Sequence, residues 1–442
     1  MCLPSTFFLT FASQKNIRDI YSTIMNLKKQ LLYIGVAAAL LAPALSSCGN
    51  HNDKIKKTQN TTTAKKAAQV DTAVVSRLKK FAAEPRCKGQ FAFYVYDITA
   101  DKPVFGVNEK QPLHSASCLK LISGTAGLHL LSTKYLYYTA LFLHGQPKNG
   151  TVNGSMSLLG SLDPSFKAQD FMPFAAAAKK AGVKKLNGHL LLSLPVTDPV
   201  KSEPHWYPWD LSFSSFGIFY KGQDKIIQAV LNAFHQNGIQ LTKDQIIVVK
   251  NKVVRGSKLI HYRNTPITAV TERMWKHSAN TQATSMLYTI GHHLDPKAAD
   301  PTVAGVKYLR TFLADSLKQK DKGLCIHDGC GLCIHNLLSP KALCAALLYG
   351  RHHPDIYQVM MKQLPTAGVD GTLRTEMVSP LTRGRVHAKT GTLSHPYGIS
   401  SLAGFTTGAD GHEYCFAIMD TEMSVLDARV LQRKLCEALL KK

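Results

Sequence analysis

Apolar positions along this chain change period several times, and each change predicts an element. Helical spacing from Thr72 to about Ala83 is followed by Gln90 to Ile98, where Phe91, Phe93 and Val95 alternate as in a strand. A turn over Thr99-Ala100-Asp101-Lys102 leads into Pro103 to Gly106, a hairpin that delivers the chain to Ser117. From Ser117 to Ser132 the residues Leu119, Leu121, Ile122, Leu128, Leu130 and Leu131 predict a buried helix. The texture then shifts to strands over 135–144, 154–159 and 186–194. Helices are expected over 171–180 and 224–236, the second closed by Gly238. An aromatic stretch around Trp206, Trp209 and 213–220 has no clear period. We read 135–258 as an inserted domain with its own small β-rich layer. Ile267, Val270 and Met274 then share one face of a helix, and another helix covers 284–292. Residues 385–392 read as a strand, and 398–405 with 412–420 as a hairpin. Ser424 caps a final amphipathic helix in which Leu431, Leu435 and Leu439 recur every fourth residue. No internal repeat is visible.

The first 70 residues do not fit this scheme. Residues 1–24 read poorly as structure, and Met25 is a better start than Met1. Lys28-Lys29 then precede an apolar run over 31–45, too short for a comfortable membrane span, and Leu45-Ser46-Ser47-Cys48 follows. Residues 1–48 are therefore expected to be a signal segment resembling a bacterial lipoprotein processing site, with Cys48 as the lipidated terminus. An ordinary signal peptide cut nearby is the alternative. Residues 49–70 are polar and read as a flexible tether. The expected location is the periplasm or cell envelope, on a membrane through the lipid.

Composition adds charge and cysteine. The 442 residues are 45% hydrophobic, ordinary for a globular protein, but 53 Lys+Arg against 29 Asp+Glu give a formal net charge of +24. The basic residues are scattered. With no zinc finger, Arg-rich arm or RNP-like motif, a nucleic-acid partner is not expected. Work near anionic polymers or membrane surfaces suits the charge better. Apart from Cys2 and Cys48, eight cysteines remain: Cys87, Cys118, Cys325, Cys330, Cys333, Cys344, Cys415 and Cys436. Cys325-x4-Cys330-x2-Cys333, with His327 and His335, matches no zinc spacing. We read it as buried thiols or a local disulfide, and expect no metal or cofactor.

The candidate chemistry starts at Ser117-x-x-Lys120. On a helix these side chains lie one turn apart on one face. Burial beside the serine lowers the lysine pKa, and a neutral amine can take the hydroxyl proton of a nucleophile. Ser278-x-Asn280 and Lys389-Thr390-Gly391 follow. Each motif alone has a plain structural reading, as a helix start, a helix cap and a strand end. Ser278 can relay a proton to a leaving group as general acid. Asn280 offers an amide to a substrate backbone. Lys389 and Thr390 suit a terminal carboxylate, and Gly391 lets its strand approach closely.

In this order the three motifs resemble the signature set of penicillin-recognising serine enzymes. Leu364-Pro365-Thr366-Ala367-Gly368-Val369-Asp370-Gly371-Thr372-Leu373 and Asp328-Gly329-Cys330-Gly331-Leu332 are similar to segments of the D-alanyl-D-alanine carboxypeptidase/endopeptidase family S13, the penicillin-binding-protein-4 type. The similarity runs from about Val75 to Leu440. It implies an α/β fold of the penicillin-binding-protein/β-lactamase-like transpeptidase class: an antiparallel sheet flanked by helices, plus a helical lobe. The peptidase domain would comprise 71–134 and 259–442. It implies hydrolysis of peptidoglycan stem peptides through an acyl-enzyme on Ser117, acylation by β-lactams, and an oxyanion hole from the N–H groups of Ser117 and Thr392. A β-lactamase of the same superfamily and a silent envelope-binding protein are the alternatives. The chain departs from the family at Cys330 and Cys333, where serines are usual, and at Ile334, where an arginine is usual. Its insertion is compact.

Overall fold

The computed structural model describes residues 8–10, 69–86, 88–210, 215–250, 252–393 and 398–442. Met25, Cys48, Cys87 and the tether up to residue 68 lie outside the described residues. The chain falls into two compact units, 1–67 and 68–442. Of the first, only the short strand Phe8–Thr10 is described.

In the second unit the main sheet has five antiparallel strands. Their order is Val386–Leu393, Ile399–Thr407, Glu413–Thr421, Gln90–Asp97, Lys102–Val107. Both ends of the chain therefore build one sheet, and the late strand Glu413–Thr421 is its centre. The period of two sorts side chains to opposite faces. Phe93, Val95, Leu402, Phe416 and Ile418 pack with Val74, Leu78 and Phe81 of the helix Thr72–Ala83 and with Leu435 and Leu439 of the helix Val425–Leu440. Ala92, Tyr94, Cys415, Ala417 and Met419 belong to the core on the other side, with Leu119, Ile122, Leu343 and Leu347. Burial on both faces keeps the middles of the central strands apolar, and the polar side chains, such as Ser400, Thr406, Glu413, Asp420, Gln90 and Asp97, lie towards their ends. Asp71 and Ser424 cap the outer helices, accepting from the N–H groups of Ala73 and Leu426.

A second five-stranded sheet has the order Ile246–Val249, Leu190–Ser193, Ser155–Leu159, Leu136–His144, Lys258–Pro266. Leu190–Ser193 is parallel to both its neighbours, and the other pairs are antiparallel. Its separate core includes Leu158, Phe166, Phe174, Leu192, Val230 and Phe234. The helices Met172–Lys180 and Gln223–Gln236 contribute to it.

The remaining helices surround Leu119–Leu131, which is buried on nearly every face. They include Ile267–Lys276, Asn280–Leu294, Pro301–Thr311, Pro340–Arg351 and Pro354–Gln363. Trp275, fully buried, donates its indole N–H to Lys120 O at 2.8 Å, which ties this helical lobe to the first turn of the central helix.

Candidate active site

The segment before the central helix makes a tight 3-10 turn over Ala116–Cys118, and the α-helix proper starts at Leu119. Ala116 is held at φ +44°, an uncommon conformation for a residue with a Cβ. Close packing holds it there. A Cβ on Gly331 would lie 1.9 Å from Ala116 O, so only glycine admits this approach. On the sheet side a Cβ on Gly391 would meet Ser401 Oγ at 2.2 Å and Ser115 O at 2.6 Å. Ser401 Oγ donates to Ser115 O at 2.6 Å. The turn carrying Ser117 is thus clamped between the strand Val386–Leu393 and the loop 328–333.

Lys120 Nζ lies 2.7 Å from Ser117 Oγ, 2.8 Å from Asn280 Oδ1 and 2.6 Å from Cys330 O. The ammonium form donates to all three. The neutral amine keeps two of these acceptors, Asn280 Oδ1 and Cys330 O, and its lone pair then faces the Ser117 hydroxyl. Burial pulls the Lys120 pKa from 10.5 down to about 8, against the opposing pull of the Asp328 carboxylate. Lys389, also fully buried, is pulled down to about 7, first by burial and then by the charge of Lys120. Burial, not the charge of Lys389, lowers Lys120, whereas the charge of Lys120 does act on Lys389.

Lys389 Nζ donates to Ser278 Oγ at 2.9 Å and to Thr390 O at 2.5 Å. Ser278 is at φ +56°, just before the helix Asn280–Leu294, a second strained residue at the site. Ser117, Ser278, Thr390, Gly391 and Thr392 line one cleft of about 200 Å³, together with Thr372, Glu376 and Arg429. A larger hollow of about 430 Å³, lined by Tyr357, Arg385 and Glu413, contains none of the motif residues. The edge strand also presents backbone groups. Ala388 N–H donates to Pro365 O, and Val386 O accepts from Ala367 N–H. Even-numbered residues therefore direct their backbone groups away from the sheet, and the period of two gives Thr390 and Thr392 the same direction.

All the motif residues come together here. Asn280, expected to offer its amide to a substrate backbone, also holds Lys120 through Oδ1 and leaves Nδ2 for a ligand. The cysteine-rich loop acts through its backbone. Cys330 and Cys333 are free and buried, and Cys330 O is an acceptor for Lys120. The loop is shaped by Asp328, whose carboxylate accepts from the N–H groups of Cys330, Gly331 and Cys333, from Asn336 Nδ2 and from Trp206 Nε1. Cys118 is buried, with Sγ 3.2 Å from Lys389 O.

Sequence reasoning missed Thr372, although the segment carrying it stood out. Asp370 pairs with Lys276 at 2.7 Å and accepts from Thr366 N–H, and the turn sets Thr372 Oγ1 2.7 Å from Thr390 Oγ1. Arg429, bonded to Glu376 at 3.0 Å, gave no signal in the sequence.

The family model described as the D-Ala-D-Ala carboxypeptidase 3 (S13) family matches residues 74–217 and 219–440. A D-alanyl-D-alanine carboxypeptidase, DacB, of Haemophilus influenzae is 23% identical over 416 residues, covering 73% of this chain and 84% of that protein. The crystal structure of penicillin binding protein 4 from Haemophilus influenzae superposes with a TM-score of 0.64 at 20% identity, covering 82% of this chain and 97% of that one. A predatory peptidoglycan endopeptidase of Bdellovibrio bacteriovorus superposes with a TM-score of 0.53 at 15% identity, over 78% and 92% of the two chains. The fold is therefore that of the penicillin-binding proteins.

Proposed function

Because the chain belongs to the D-Ala-D-Ala carboxypeptidase 3 (S13) family, we propose that it is a serine-type peptidase that removes terminal D-alanine from peptidoglycan stem peptides. The observation that carries this reading is Lys120 Nζ at 2.7 Å from Ser117 Oγ, with its other two acceptors fixed.

Ser117 Oγ attacks the carbonyl carbon of the penultimate residue while neutral Lys120 accepts its proton. The N–H groups of Ser117 and Thr392 receive the developing oxyanion, and such a donor is worth about 3 kcal/mol of barrier. The terminal carboxylate of the peptide binds to Lys389 and Thr390. Its negative charge favours the ammonium form of Lys389, and that charge in turn favours neutral Lys120. Substrate binding in this way leaves Lys120 as the base. Ser278, hydrogen-bonded to Lys389, passes a proton to the leaving amine. D-Alanine departs, and water hydrolyses the acyl-enzyme. β-Lactams acylate the same serine. Cleavage of cross-links uses the same steps when the leaving amine belongs to a second stem peptide.

The peptidase domain is read as 71–134 with 259–442 and 135–258 as the insertion, with the insertion's sheet carried on to residue 266 by the strand Lys258–Pro266, which pairs with Leu136–His144. The segment before residue 69 supports a further reading: export, processing at Cys48 and lipid attachment to an envelope membrane, with 49–70 as spacer. Metabolic labelling with an alkyne fatty acid tests it, since Cys48→Ser protein that still took label would exclude it.

The function is tested with purified full-length protein and a pentapeptide-bearing muropeptide. Release of one D-alanine per peptide is expected, with none from Ser117→Ala. Fast nitrocefin turnover without D-alanine release would instead make it a β-lactamase. Sacculus binding without either reaction would make it a binding protein.

A further inference from the structure

The loop that holds Lys120 has a second set of groups on its outer side. The local pattern of Cys325, His327, Cys330, Cys333 and His335 matches no zinc spacing. In the fold the set is discontinuous. Cys330 belongs to the buried interior, while Glu203, from the aromatic stretch of the chain, reaches His327 and Cys333. One ligand atom from each of Glu203, His327 and Cys333 lies within 4.8 Å of the other two.

We propose that Glu203, His327 and Cys333 form a site for a divalent transition-metal ion of the zinc class. Metal–ligand lengths of about 2.0–2.3 Å place donors roughly 3.5 Å apart around a tetrahedral ion. The three side chains therefore close onto an ion with shifts of about an ångström. Glu203 and His327 are partly exposed, so an ion has a way in, whereas Cys333 is buried and fixed. One thiolate, one carboxylate and one neutral imidazole cancel the charge of a divalent ion. A nitrogen and a sulfur donor select against calcium and magnesium. On binding, the Cys333 thiol releases its proton to solvent.

The surroundings resemble an outer coordination layer. His205 Nδ1 lies 2.7 Å from Glu203 Oε1, and Cys325 Sγ lies 3.2 Å from His327 Nε2. Such contacts orient ligands and raise their basicity. The fourth position is left to a water. Trp206 already bridges the same two segments through its bond to Asp328. An ion at this site would fasten them a second time, next to the loop whose Cys330 carbonyl holds Lys120.

The test uses untagged full-length protein in detergent, with Co²⁺ as probe. One equivalent of Co²⁺ is expected to produce a thiolate-to-cobalt charge-transfer band, which Zn²⁺ bleaches. Cys333→Ser abolishes the band, and Glu203→Gln weakens binding at least tenfold. If Cys333→Ser fails to fold, His327→Gln at a partly exposed position gives the same loss of stoichiometric binding. Absence of the band in the parent protein overturns the proposal. So does a band of full intensity in Cys333→Ser or undiminished binding in His327→Gln. None of these measurements depends on the peptidase reaction.

Discussion

If neutral Lys120 is the base, the second-order rate constant of acylation, measured below saturating penicillin, must follow its deprotonation in the free protein. Burial takes Lys120 from 10.5 to about 8, a change of roughly 3 kcal/mol at about 1.4 kcal/mol per pKa unit. At pH 7 the neutral fraction then rises from about 0.03% for an ordinary lysine to about 9%, a gain of roughly 300-fold. Stopped-flow acylation by a fluorescent penicillin between pH 5 and pH 10 should climb tenfold per unit below about pH 7, bend near 8 and then flatten. Asn280→Ala removes an acceptor that favours the ammonium form and also helps aim the lone pair. The rate should fall ten- to a hundredfold while the midpoint moves to lower pH. A rate constant independent of pH across this range, or one still rising tenfold per unit at pH 10, would refute the assignment of Lys120 as a desolvated base.

Gly391→Ala would push a methyl group into Ser401 Oγ and Ser115 O. It should cut acylation by at least a hundredfold, measured by gel fluorescence of labelled protein, with only a modest fall in Tm. Asp328→Asn replaces one oxygen that accepts buried N–H groups by an amide that cannot accept them. It should lower stability in urea by about 2–4 kcal/mol and slow acylation as well. Asp420 is buried, and burial raises its pKa from 3.8 to about 7. Its folded form therefore keeps a proton that the unfolded chain has lost, and its contribution to stability falls as pH rises from about 4 to 7. The Tm of Asp420→Asn minus that of the parent protein should be near zero at pH 4 and several degrees positive at pH 8.

The outer helices and the strands of the main sheet were legible because one polar flank or a clear alternation marks them. Thr72–Ala83 and Val425–Leu440 carry caps and wet faces. The helical lobe between residues 295 and 384 was not legible as elements. Pro340–Arg351 buries Ala342, Leu343, Cys344, Ala346 and Leu347, and so has little polar stripe to reveal its period. The short strand Leu190–Ser193, buried along its whole length, was read as longer than it is. At the site, residue types and order were readable, but partnerships were not. Lys120 meets Asn280 across 160 positions, and Thr372 meets Thr390 through a turn whose geometry depends on Lys276. A single sequence carries no trace of such pairings. Glu203 is a further example, 124 positions before His327.

The central place of Glu413–Thr421 in the sheet has a consequence for biosynthesis. Its neighbours are Ile399–Thr407 on one side and Gln90–Asp97 on the other, so no earlier part of the chain can stand in for it. A nascent polypeptide makes Ser117 and Lys120 long before Val386–Leu393, the strand that clamps them, and that strand in turn precedes Glu413–Thr421, on which its neighbour Ile399–Thr407 leans. The enzyme is born unarmed, and a product cut short before residue 413 stays so.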